Sequence, residues 1–275
     1  MSENQRIAVI MSLYKNDTLE YVSLAIESIL EQTYRDFDLY LQFDGPISQN
    51  VEGYINSIQD NRIIIRNRDT NKGLAVSLNE LLQIVLPKNY AFIARMDADD
   101  IARRDRFQKQ IDYLNRNPQI DVLGGAINEI DENGLDRNKV VSYPLTNEEC
   151  WAFFAKRNPL AHPTVVFRRS FFQKTGCLYP TEYVRNEDTA LWLEGFKHGA
   201  VMSNLPDVLL NFRVTPSFFS QRRNGKIFAK SQLQLRKKIS KELEYGIMSY
   251  IYAYATYCVM ISPPWIIKAA YRILR

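Results

Sequence analysis

Histidine and cysteine are scarce in this chain, and their scarcity excludes two kinds of site. Among 275 residues there are two histidines and three cysteines, and no two cysteines form a C-x-x-C pair. A histidine-rich metal centre and a thiolate zinc site are therefore excluded. The wide spacing of the cysteines also argues against a disulfide framework and indicates a reducing compartment.

Low-complexity tracts, internal repeats and a secretory signal pattern are absent too. The composition, with 46% hydrophobic and 24% charged residues, is that of an ordinary globular protein. A chain of 275 residues can bury a substantial core, as one large domain or as one domain with an appendage. We therefore expect a cytoplasmic globular protein.

Acidic residues are missing from one long stretch near the C-terminus. Residues 222–241 contain eight lysines and arginines and no aspartate or glutamate. The whole chain carries a formal net charge of +4, so the remainder without this stretch carries −4. Positive charge is thus a property of the C-terminal region and not of the whole surface.

Strands and helices alternate through the first 120 residues. Short apolar runs predict strands at 6–14, 38–46, 62–67 and 90–97. Apolar residues at helical spacing predict helices near Asp17, over 73–86 and from Arg106, the first with an Asp17–Glu20 capping box. This alternation predicts an α/β fold with a doubly wound, mainly parallel sheet and right-handed crossovers. The loops that follow the strands should meet at the carboxyl edge of that sheet.

The second half of the chain is less regular. Strand-like segments at 121–130, 139–144 and 162–169 mix with predicted helices near 147–158 and after 185. From 221 onward the sequence reads as a helical appendage.

Three aspartates follow the fourth predicted strand, in the segment RMDADD. Asp97 and Asp99 form a D-x-D pair, and Asp100 comes directly after them. Hard cations such as Mg²⁺ and Mn²⁺ prefer carboxylate and phosphate oxygens, and Mg²⁺ commonly takes one or two carboxylates together with substrate phosphates. The alternative is an acidic turn in which Asp99 or Asp100 caps the next helix. The position at a strand end, where several loops converge, favours a metal and phosphate site.

A second acidic pair, Glu187 and Asp188, begins a predicted helix. Negative side chains stabilise a helix N-terminus, which is a sufficient structural explanation. A carboxylate that faces the metal site across the cleft could instead accept a proton from an incoming hydroxyl. The spacing alone leaves both interpretations open. His162 precedes another predicted strand, and a lone histidine is more often a structural hydrogen-bonding group than a catalyst.

Six segments between about residues 8 and 215 form one ordered pattern. They are IAVIMSLYKND, SLAIESILEQTYRDFDLYLQFDGP, RNRDTNKGLAVSLNELL, YAFIARMDADDIARRDRFQKQIDYLNRNPQIDVLGGAINEIDENG, NPLAHPTVVFRRS and NEDTALWL. In these segments the chain resembles glycosyltransferase family 2, the inverting nucleotide-sugar transferases with the GT-A fold. It resembles in particular the small bacterial enzymes that build surface polysaccharides.

The resemblance implies a set of residues on the nucleotide-sugar donor side. They are Leu13, Tyr14, Asp44, Asn71, Lys72, Gly73, Arg95 and Asp97. The first three would hold the uracil and ribose, and the next three would border the nucleotide. Asp97 and Asp99 would ligate a Mn²⁺ or Mg²⁺ ion bound to the diphosphate.

The same resemblance implies how the acceptor side is built. Asp188 would be the general base, with Glu187 supporting it. His162 and Arg213 would lie near the acceptor or in a closing loop. A single displacement in which Asp188 takes the proton of the attacking hydroxyl would invert the configuration of the transferred sugar.

Two departures from the family pattern put individual roles in doubt. The usual D-G-S is Asp44-Gly45-Pro46 in this chain, which keeps the aspartate but loses a hydroxyl near the nucleotide. Thr215 stands where the family commonly has a histidine, so the resemblance does not carry over a role of that histidine in metal or diphosphate binding.

The implied organisation is a GT-A transferase domain over 1–220 with an appendage over 221–275. The domain would consist of a nucleotide-binding half to about 120 and an acceptor half over 121–220. The implied function is metal-dependent transfer from a nucleotide sugar, with UDP favoured, to a saccharide or lipid-linked saccharide in O-antigen or capsule biosynthesis.

Two other functions are alternatives. A nucleotidyltransferase acting on sugar phosphates would need a glycine-rich, basic loop after the first strand, and MSLYKND is not such a loop. The second alternative is a non-catalytic, membrane-docked binding protein. It gives neither the aspartate cluster nor the pair Glu187–Asp188 a function. Nucleic acid is not an expected partner, because acidic strand-end loops repel a phosphate backbone.

The C-terminal region predicts contact with a membrane surface. Residues 247–267 carry no formal charge, but Pro263 and Pro264 interrupt them, and four tyrosines give them an interfacial character. Together with the basic stretch they favour an anionic membrane, bound through 222–275 on the inner face of the plasma membrane. The alternative is a helix pair that packs on the catalytic domain or forms a homodimer.

Overall fold

The computed structural model describes residues 5–183, 185–215 and 226–263. The strands are β1 (Ile7–Leu13), β2 (Phe37–Phe43), β3 (Ile63–Arg66), β4 (Phe92–Met96), β5 (Ile101–Ala102), β6 (Val122–Ile130), β7 (Asp136–Val141), β8 (Val166–Arg168) and β9 (Met202–Arg213). The helices are α1 (Leu19–Leu30), α2 (Gln49–Ser57), α3 (Leu74–Val85), α4 (Arg106–Arg116), α5 (Asn147–Phe154), α6 (Arg169–Thr175), α7 (Glu187–Lys197), α8 (Lys226–Glu242) and α9 (Ile247–Met260). The strands form one sheet in the order β3-β2-β1-β4-β8-β6-β9-β5, with β7 paired to β6.

The first four strands form a parallel half of the sheet. β1 pairs with β2 and β4, β2 pairs with β3, and Ile7 stands opposite both Phe37 and Phe92. Every residue of β2 and β4 is buried, as is usual for parallel strands that are covered on both faces. The strands and crossover helices predicted in the first 120 residues are confirmed, although α2 was not predicted.

The second half of the sheet is mixed. β8 runs antiparallel to β4 and β6, whereas β6 and β9 are parallel, with Val122 opposite Met202. β5 is antiparallel to β9, and Ile101 lies opposite Asn211. β9 thus pairs both with β6 and with β5, the short strand that follows β4 in sequence.

Helices cover both faces of the sheet, so the doubly wound arrangement is confirmed. Alternate residues of β1 enter two separate cores because successive strand residues point to opposite faces. Val9 belongs to the core that residues of α1, α2 and α4 help to form, and Ile10 belongs to the core on the other face, with residues of α3, α5, α6, α7 and α8. β1 is therefore central, and the loops after β1, β2 and β4 lie at one edge of the sheet.

Helix α1 begins with a different cap from the predicted one. Its N-cap is Thr18, whose side chain accepts a hydrogen bond from the backbone nitrogen of Tyr21. Asp17 instead accepts a hydrogen bond from the backbone nitrogen of Tyr14 at 2.8 Å. The predicted Asp17–Glu20 capping box is wrong, because Thr18 is the N-cap and the Asp17 carboxylate accepts a hydrogen bond from the loop after β1.

The inner face of the C-terminal helix pair packs on the rest of the molecule. Leu235 and Ile239 of α8 are fully buried in the second core. The ring of Tyr245, between the two helices, lies 4.5 Å from the ring of Trp151. This agrees with the packing alternative for the inner face, while the predicted domain boundary near 220 stays a prediction.

The outer face of α9 is apolar and exposed. Ile247, Met248 and Ile251 are 71%, 66% and 53% exposed. No helix in the described ranges combines the length and the hydrophobicity that crossing a bilayer requires. The predicted interfacial residues 264–275, together with Arg222 and Arg223, lie outside the described residues.

Candidate active site

The aspartate turn lies directly after β4, at the carboxyl edge of the sheet. Carboxylate oxygens of Asp97, Asp99 and Asp100 lie within 4.8 Å of one another. The end of β9 holds this turn in place: the backbone nitrogen of Arg213 donates to Asp100 Oδ1 at 2.8 Å, and its Nε donates to the carbonyl oxygen of Asp99 at 2.9 Å. The three acids therefore converge on one place, as the sequence predicted.

Asp100 differs from its two neighbours in burial. It is 1% exposed, and burial, followed by the charges of Asp99 and Asp97, raises its pKa well above the ordinary value. Its Oδ2 atom has no hydrogen-bond partner among the residues that the structure describes. Asp97 and Asp99 are only half-buried and offer the carboxylate oxygens that Mg²⁺ and Mn²⁺ prefer. The turn therefore fits a divalent cation that Asp97 and Asp99 would hold, with Asp100 supporting them from inside.

A buried arginine lies beside the turn. Arg95, in β4, is 2% exposed, and its Nη2 donates to Asp97 Oδ1. Its Nε and Nη1 have no acceptor in the described part of the chain. A buried cation with unpaired donors costs free energy. These donors therefore favour an anionic group in the site in addition to Asp97.

Glu187 and Asp188 are the first two residues of α7. Burial, and after it the charge of Asp188, raises the pKa of Glu187 to about 7, while Arg95 opposes this rise and Asp97 adds to it. Burial also raises the pKa of Asp188, and hydrogen bonds from Thr189, followed by the charge of Arg95, oppose that rise. Charge effects of this kind require proximity. The pair Glu187–Asp188 therefore lies within electrostatic reach of Arg95 and of the aspartate turn, although the two acidic groups are far apart in sequence.

Both carboxylate oxygens of Asp188 have hydrogen-bond donors. Oδ1 accepts from the backbone nitrogen of Thr189 at 2.6 Å and from its hydroxyl at 3.2 Å. Oδ2 accepts from Asn158 Nδ2 at 2.9 Å. Hydrogen bonds to the charged form favour ionisation, so this arrangement both orients the carboxylate and keeps it able to accept a proton.

Asp44, at the end of β2, organises the loop over 68–73. Its carboxylate accepts hydrogen bonds from the backbone nitrogens of Lys72 at 2.7 Å and Gly73 at 2.9 Å, and from the side chain of Arg68. The structure thus brings Asp44 together with the loop that the sequence placed beside the nucleotide. In this geometry the task of the Asp44 carboxylate is to shape that loop, and its contact with the uracil or ribose stays a prediction.

Gly45 makes the close approach of this loop possible. Its φ is +80°, and a Cβ at this position would lie 2.7 Å from the backbone nitrogen of Asn71, so other residues are excluded. Asn71 Nδ2 in turn donates to the carbonyl oxygen of Asp44 at 3.1 Å. At the same sheet edge, Leu13 is the buried last residue of β1 and Tyr14 is exposed in the loop that follows.

His162 lies in a buried turn before β8. Its Nε2 is 2.9 Å from the hydroxyl of Tyr179, and its ring packs edge-on against Trp192. Burial, and after it the charge of Arg95, lowers the pKa of His162 well below its ordinary value, which favours the neutral ring. These contacts give His162 a structural role, and its predicted place on the acceptor side stays a prediction.

Arg213 is buried behind the aspartate turn. In addition to its bonds with the turn, its Nη1 donates to the carbonyl oxygens of Asp131 at 3.1 Å and Glu132 at 3.2 Å. Its guanidinium lies 4.1 Å from the centre of the Tyr21 ring. These contacts hold the turn against the loop after β6, whereas the predicted acceptor-side or lid role of Arg213 is untested.

Comparison with known proteins identifies the family. The model of glycosyl transferase family 2 matches residues 8–176. The chain belongs to glycosyltransferase family 2. The amylovoran biosynthesis glycosyltransferase AmsE of Erwinia amylovora is 33% identical over 232 residues, which cover 83% of each chain. The predicted family and the predicted enzyme class are therefore confirmed.

Two further comparisons, one of sequence and one of fold, are with glycosyltransferases. The UDP-Gal:alpha-D-GlcNAc-diphosphoundecaprenol beta-1,3-galactosyltransferase of Escherichia coli is 26% identical and covers 84% of this chain and 82% of its own. The structure of the mannosyltransferase PcManGT from Pyrobaculum calidifontis, in complex with GDP-Man and Mn²⁺, has a TM-score of 0.64 at 15% identity. That match covers 99% of this chain and 81% of the mannosyltransferase, and it confirms the predicted GT-A fold.

Sequence reasoning missed two residues that support the acidic pair of this family 2 enzyme. Asn158 donates to Asp188, and Arg236 Nη2 donates to Asn158 Oδ1 at 2.9 Å. Arg236 lies inside the basic stretch, which the charge pattern assigned to the surface. Its helical spacing beside Leu235 and Ile239 was the signal for burial.

Proposed function

We propose that this family 2 enzyme transfers a sugar from a nucleotide-sugar donor, with UDP favoured, to a hydroxyl of a saccharide or lipid-linked saccharide, inverting the anomeric carbon. The observation that supports this proposal is the shared site. The aspartate turn and the pair Glu187–Asp188 both lie within electrostatic reach of one buried arginine, Arg95. One side offers a place for a cation and a diphosphate, and the other offers a base for the acceptor hydroxyl.

The donor diphosphate would lie against the aspartate turn. Asp97 and Asp99 would hold Mn²⁺ or Mg²⁺, which when bound supplies positive charge for the departing diphosphate. The two donors of Arg95 without an acceptor among the described residues would add to that charge. The mannosyltransferase from Pyrobaculum calidifontis, solved with GDP-Man and Mn²⁺, supports this arrangement.

Asp188 would accept the proton of the acceptor hydroxyl. Its Oδ2 has one hydrogen-bond donor, Asn158, and a carboxylate oxygen can accept two, so a lone pair remains for the substrate. Attack from the face opposite the diphosphate is a single displacement, and an α-linked donor would give a β-linked product. Glu187, with a pKa near neutrality, would support the base from the neighbouring position.

Relatives support a role in surface-polysaccharide biosynthesis, of the O-antigen or capsule kind. The Erwinia amylovora relative is named for amylovoran biosynthesis. The Escherichia coli relative is named for transfer to a diphosphoundecaprenol-linked sugar. A lipid-linked acceptor would lie at a membrane surface, where this enzyme would have to work.

A donor panel tests the proposed reaction. With Mn²⁺ and without an acceptor, we expect slow release of nucleoside diphosphate from one of UDP-galactose, UDP-N-acetylglucosamine or GDP-mannose, because water can replace the acceptor hydroxyl. Release is measured by chromatography, with the Asp188→Asn protein as the control. Formation of a nucleotide sugar from UTP and a sugar phosphate would instead support the nucleotidyltransferase alternative. Binding without either reaction would support the non-catalytic alternative.

We further propose that the C-terminal helices dock on an anionic membrane at the cytoplasmic face. α9 offers an exposed apolar row, Ile247, Met248 and Ile251, and the preceding basic stretch offers positive charge. Leu235 and Ile239 of α8 pack into the protein, whereas the outer face of α9 is left for the membrane.

Replacing Ile247, Met248 and Ile251 together by serine is expected to weaken binding to vesicles of phosphatidylcholine and phosphatidylglycerol at least about tenfold. Full burial of each such side chain contributes about 1.5–3 kcal/mol, and even partial insertion of three exceeds the ~1.4 kcal/mol that corresponds to a tenfold change. Binding is measured by cosedimentation.

The matched control for this variant removes two exposed apolar side chains elsewhere, with Leu135→Ser and Val140→Ser near β7. Truncation after Tyr245 provides a second variant, because it removes α9 and keeps the contact between Tyr245 and Trp151. Vesicle binding that survives both changes to α9 would contradict membrane docking through this helix.

A further inference from the structure

A chain of hydrogen bonds connects the C-terminal helix α8 to the acidic pair. Arg236 is 6% exposed, and its Nη1 donates to the carbonyl oxygen of Phe154 at 2.9 Å. Its Nη2 donates to Asn158 Oδ1 at 2.9 Å, and Asn158 Nδ2 donates to Asp188 Oδ2 at 2.9 Å. The guanidinium also lies 5.4 Å from the centre of the Phe154 ring. This arginine is therefore fixed on three sides in the protein interior.

The chemistry of the two end groups determines how the amide between them must point. An arginine can only donate hydrogen bonds, and an ionised carboxylate can only accept them. Asn158 must therefore turn its oxygen to Arg236 and its nitrogen to Asp188. The hydroxyl of Thr189 adds a second donor to Asn158 Oδ1 at 3.0 Å. If the Asn158 amide were flipped, so that its oxygen and nitrogen changed places, its NH₂ group would point at the N–H groups of Arg236, and two donors would oppose each other.

We propose that Arg236 is a positioning residue, which acts through Asn158 to orient the Asp188 carboxylate and to keep it ionised for proton transfer. This inference rests on the proposed function, in which Asp188 is the general base. It assigns to the basic stretch 222–241 a task inside the protein in addition to the proposed membrane contact. The C-terminal helix would then be part of the machinery that prepares the base, although it lies beyond the family-model match at 8–176.

The charges around Asp188 agree with this role. Glu187 on α7, Arg95 on β4, Arg236 on α8 and the Tyr179 hydroxyl lie within electrostatic reach of Asp188. The two arginines favour the ionised carboxylate, and Glu187 opposes it. Removing the charge of Arg236 should therefore raise the pKa of Asp188. A general base must be ionised to work, so the acidic limb of the rate profile should move to higher pH.

Arg236→Met tests the proposal by removing the charge and the donors while keeping a long side chain. We expect donor hydrolysis with Mn²⁺, measured on UDP-galactose, UDP-N-acetylglucosamine and GDP-mannose, to lose at least about tenfold in kcat with little change in KM. The midpoint pH of the acidic limb of kcat should rise by about one unit, which is the low end of the pKa shift that a nearby opposite charge produces. Arg236→Lys keeps the charge, so the midpoint pH of its acidic limb should lie close to that of the wild type.

Asn158→Asp is a second, nearly isosteric variant. It keeps an acceptor for Arg236 and replaces the donor to Asp188 by a negative charge. The new ion pair with Arg236 should preserve folding, whereas kcat should fall further than in Arg236→Met and the acidic limb should move in the same direction. This variant tests the orientation of the amide even when Arg236→Met is too unstable to purify.

Arg62→Gln is the matched control. Arg62 is half-buried, donates to a carbonyl oxygen (that of Leu30, at 3.2 Å) and to Asp60, and lies over an aromatic ring, but it precedes β3 at one end of the sheet. It should lower the melting temperature without moving the pH profile. If Arg236→Met also leaves the acidic limb in place, Arg236 serves only stability and the proposal is overturned.

Two further measurements separate this proposal from the proposed function. If Asp188→Asn keeps wild-type turnover, the assignment of the base fails. If Asp188→Asn abolishes turnover but the midpoint pH of the acidic limb is unchanged in Arg236→Met and Asn158→Asp, only the positioning role fails. A ¹³C NMR titration of the Asp188 carboxyl in metal-free protein, assigned by difference with Asp188→Asn, needs no donor. Its midpoint should rise in Arg236→Met, and an unchanged midpoint would overturn the proposal even if no donor sugar is turned over.

Discussion

Asp188→Asn is expected to reduce sugar transfer by about a thousandfold while nucleotide binding stays within about twofold of the wild type. A positioned general base contributes about 10²–10⁴ to a rate, and asparagine has the shape of aspartate but cannot take a proton. The change leaves the aspartate turn, where the nucleotide diphosphate would bind, untouched. Turnover is measured with the donor selected from the panel, and binding by calorimetry with UDP or GDP and Mn²⁺.

Two companion variants interpret this result. Asp207→Asn removes a half-buried carboxylate that pairs with Lys109 at 2.7 Å, so it should leave turnover unchanged. Glu187→Gln should have a smaller effect than Asp188→Asn if Glu187 only supports the base. The opposite ranking would transfer the role of base to Glu187, whose pKa of about 7 also suits proton transfer. Loss of nucleotide binding in Asp188→Asn would move Asp188 to the donor side.

Chelation of divalent cations by EDTA should stop transfer, and added Mn²⁺ or Mg²⁺ should restore it. Asp99→Asn should lower activity at least about a hundredfold at a metal concentration that saturates the wild type. An amide cannot neutralise the cation, which would leave the diphosphate with less positive charge to stabilise it. Calorimetry with Mn²⁺ and UDP should show the same loss in binding, since the cation and the diphosphate would share the turn.

Asp105→Asn is the control for the metal prediction. Asp105 is an exposed carboxylate shortly after the turn, and it pairs with Lys109 at 2.9 Å and not with the cluster. Its loss should change neither the metal requirement nor the binding of UDP. Full activity of the wild type in EDTA, after exhaustive dialysis, would contradict the proposal that Asp99 acts by holding a metal.

The sequence predicted the parts of this molecule that depend on local patterns. The strands before Asp44 and Asp97 are apolar runs, and each ends at a polar turn, so both turns could be placed at one sheet edge. Glu187 and Asp188 could be predicted to begin a helix, and the family pattern brought that helix to the same site. These features follow from the period of apolar residues and from the topology of crossover connections.

Other features depend on which atoms come close in the folded state, and no local pattern encodes that. Asp17 fits the pattern of a helix cap, but its carboxylate accepts a hydrogen bond from the backbone nitrogen of Tyr14, and Thr18 is the N-cap. Arg236 looked like one of eight similar basic residues, although its position beside Ile239 on the helix buries it. Arg213 could be aligned with a family position, but its hydrogen bonds to the carbonyl oxygens of Asp131 and Glu132 could not be predicted, because they depend on where the loop after β6 folds.

The pairing of β5 with β9 has a consequence for the synthesis of the protein. The aspartates leave the ribosome early, but Ile101 and Ala102 pair with Asn211 and Leu210, and Arg213 then clamps the turn. Contacts between residues so distant in the chain form late, because a long loop must close first. A nascent chain that ends before β9 would carry the acids without the clamp. The proposed binding of metal and nucleotide would therefore require that β9 has been synthesised, and a fragment that ends before β9 should bind neither.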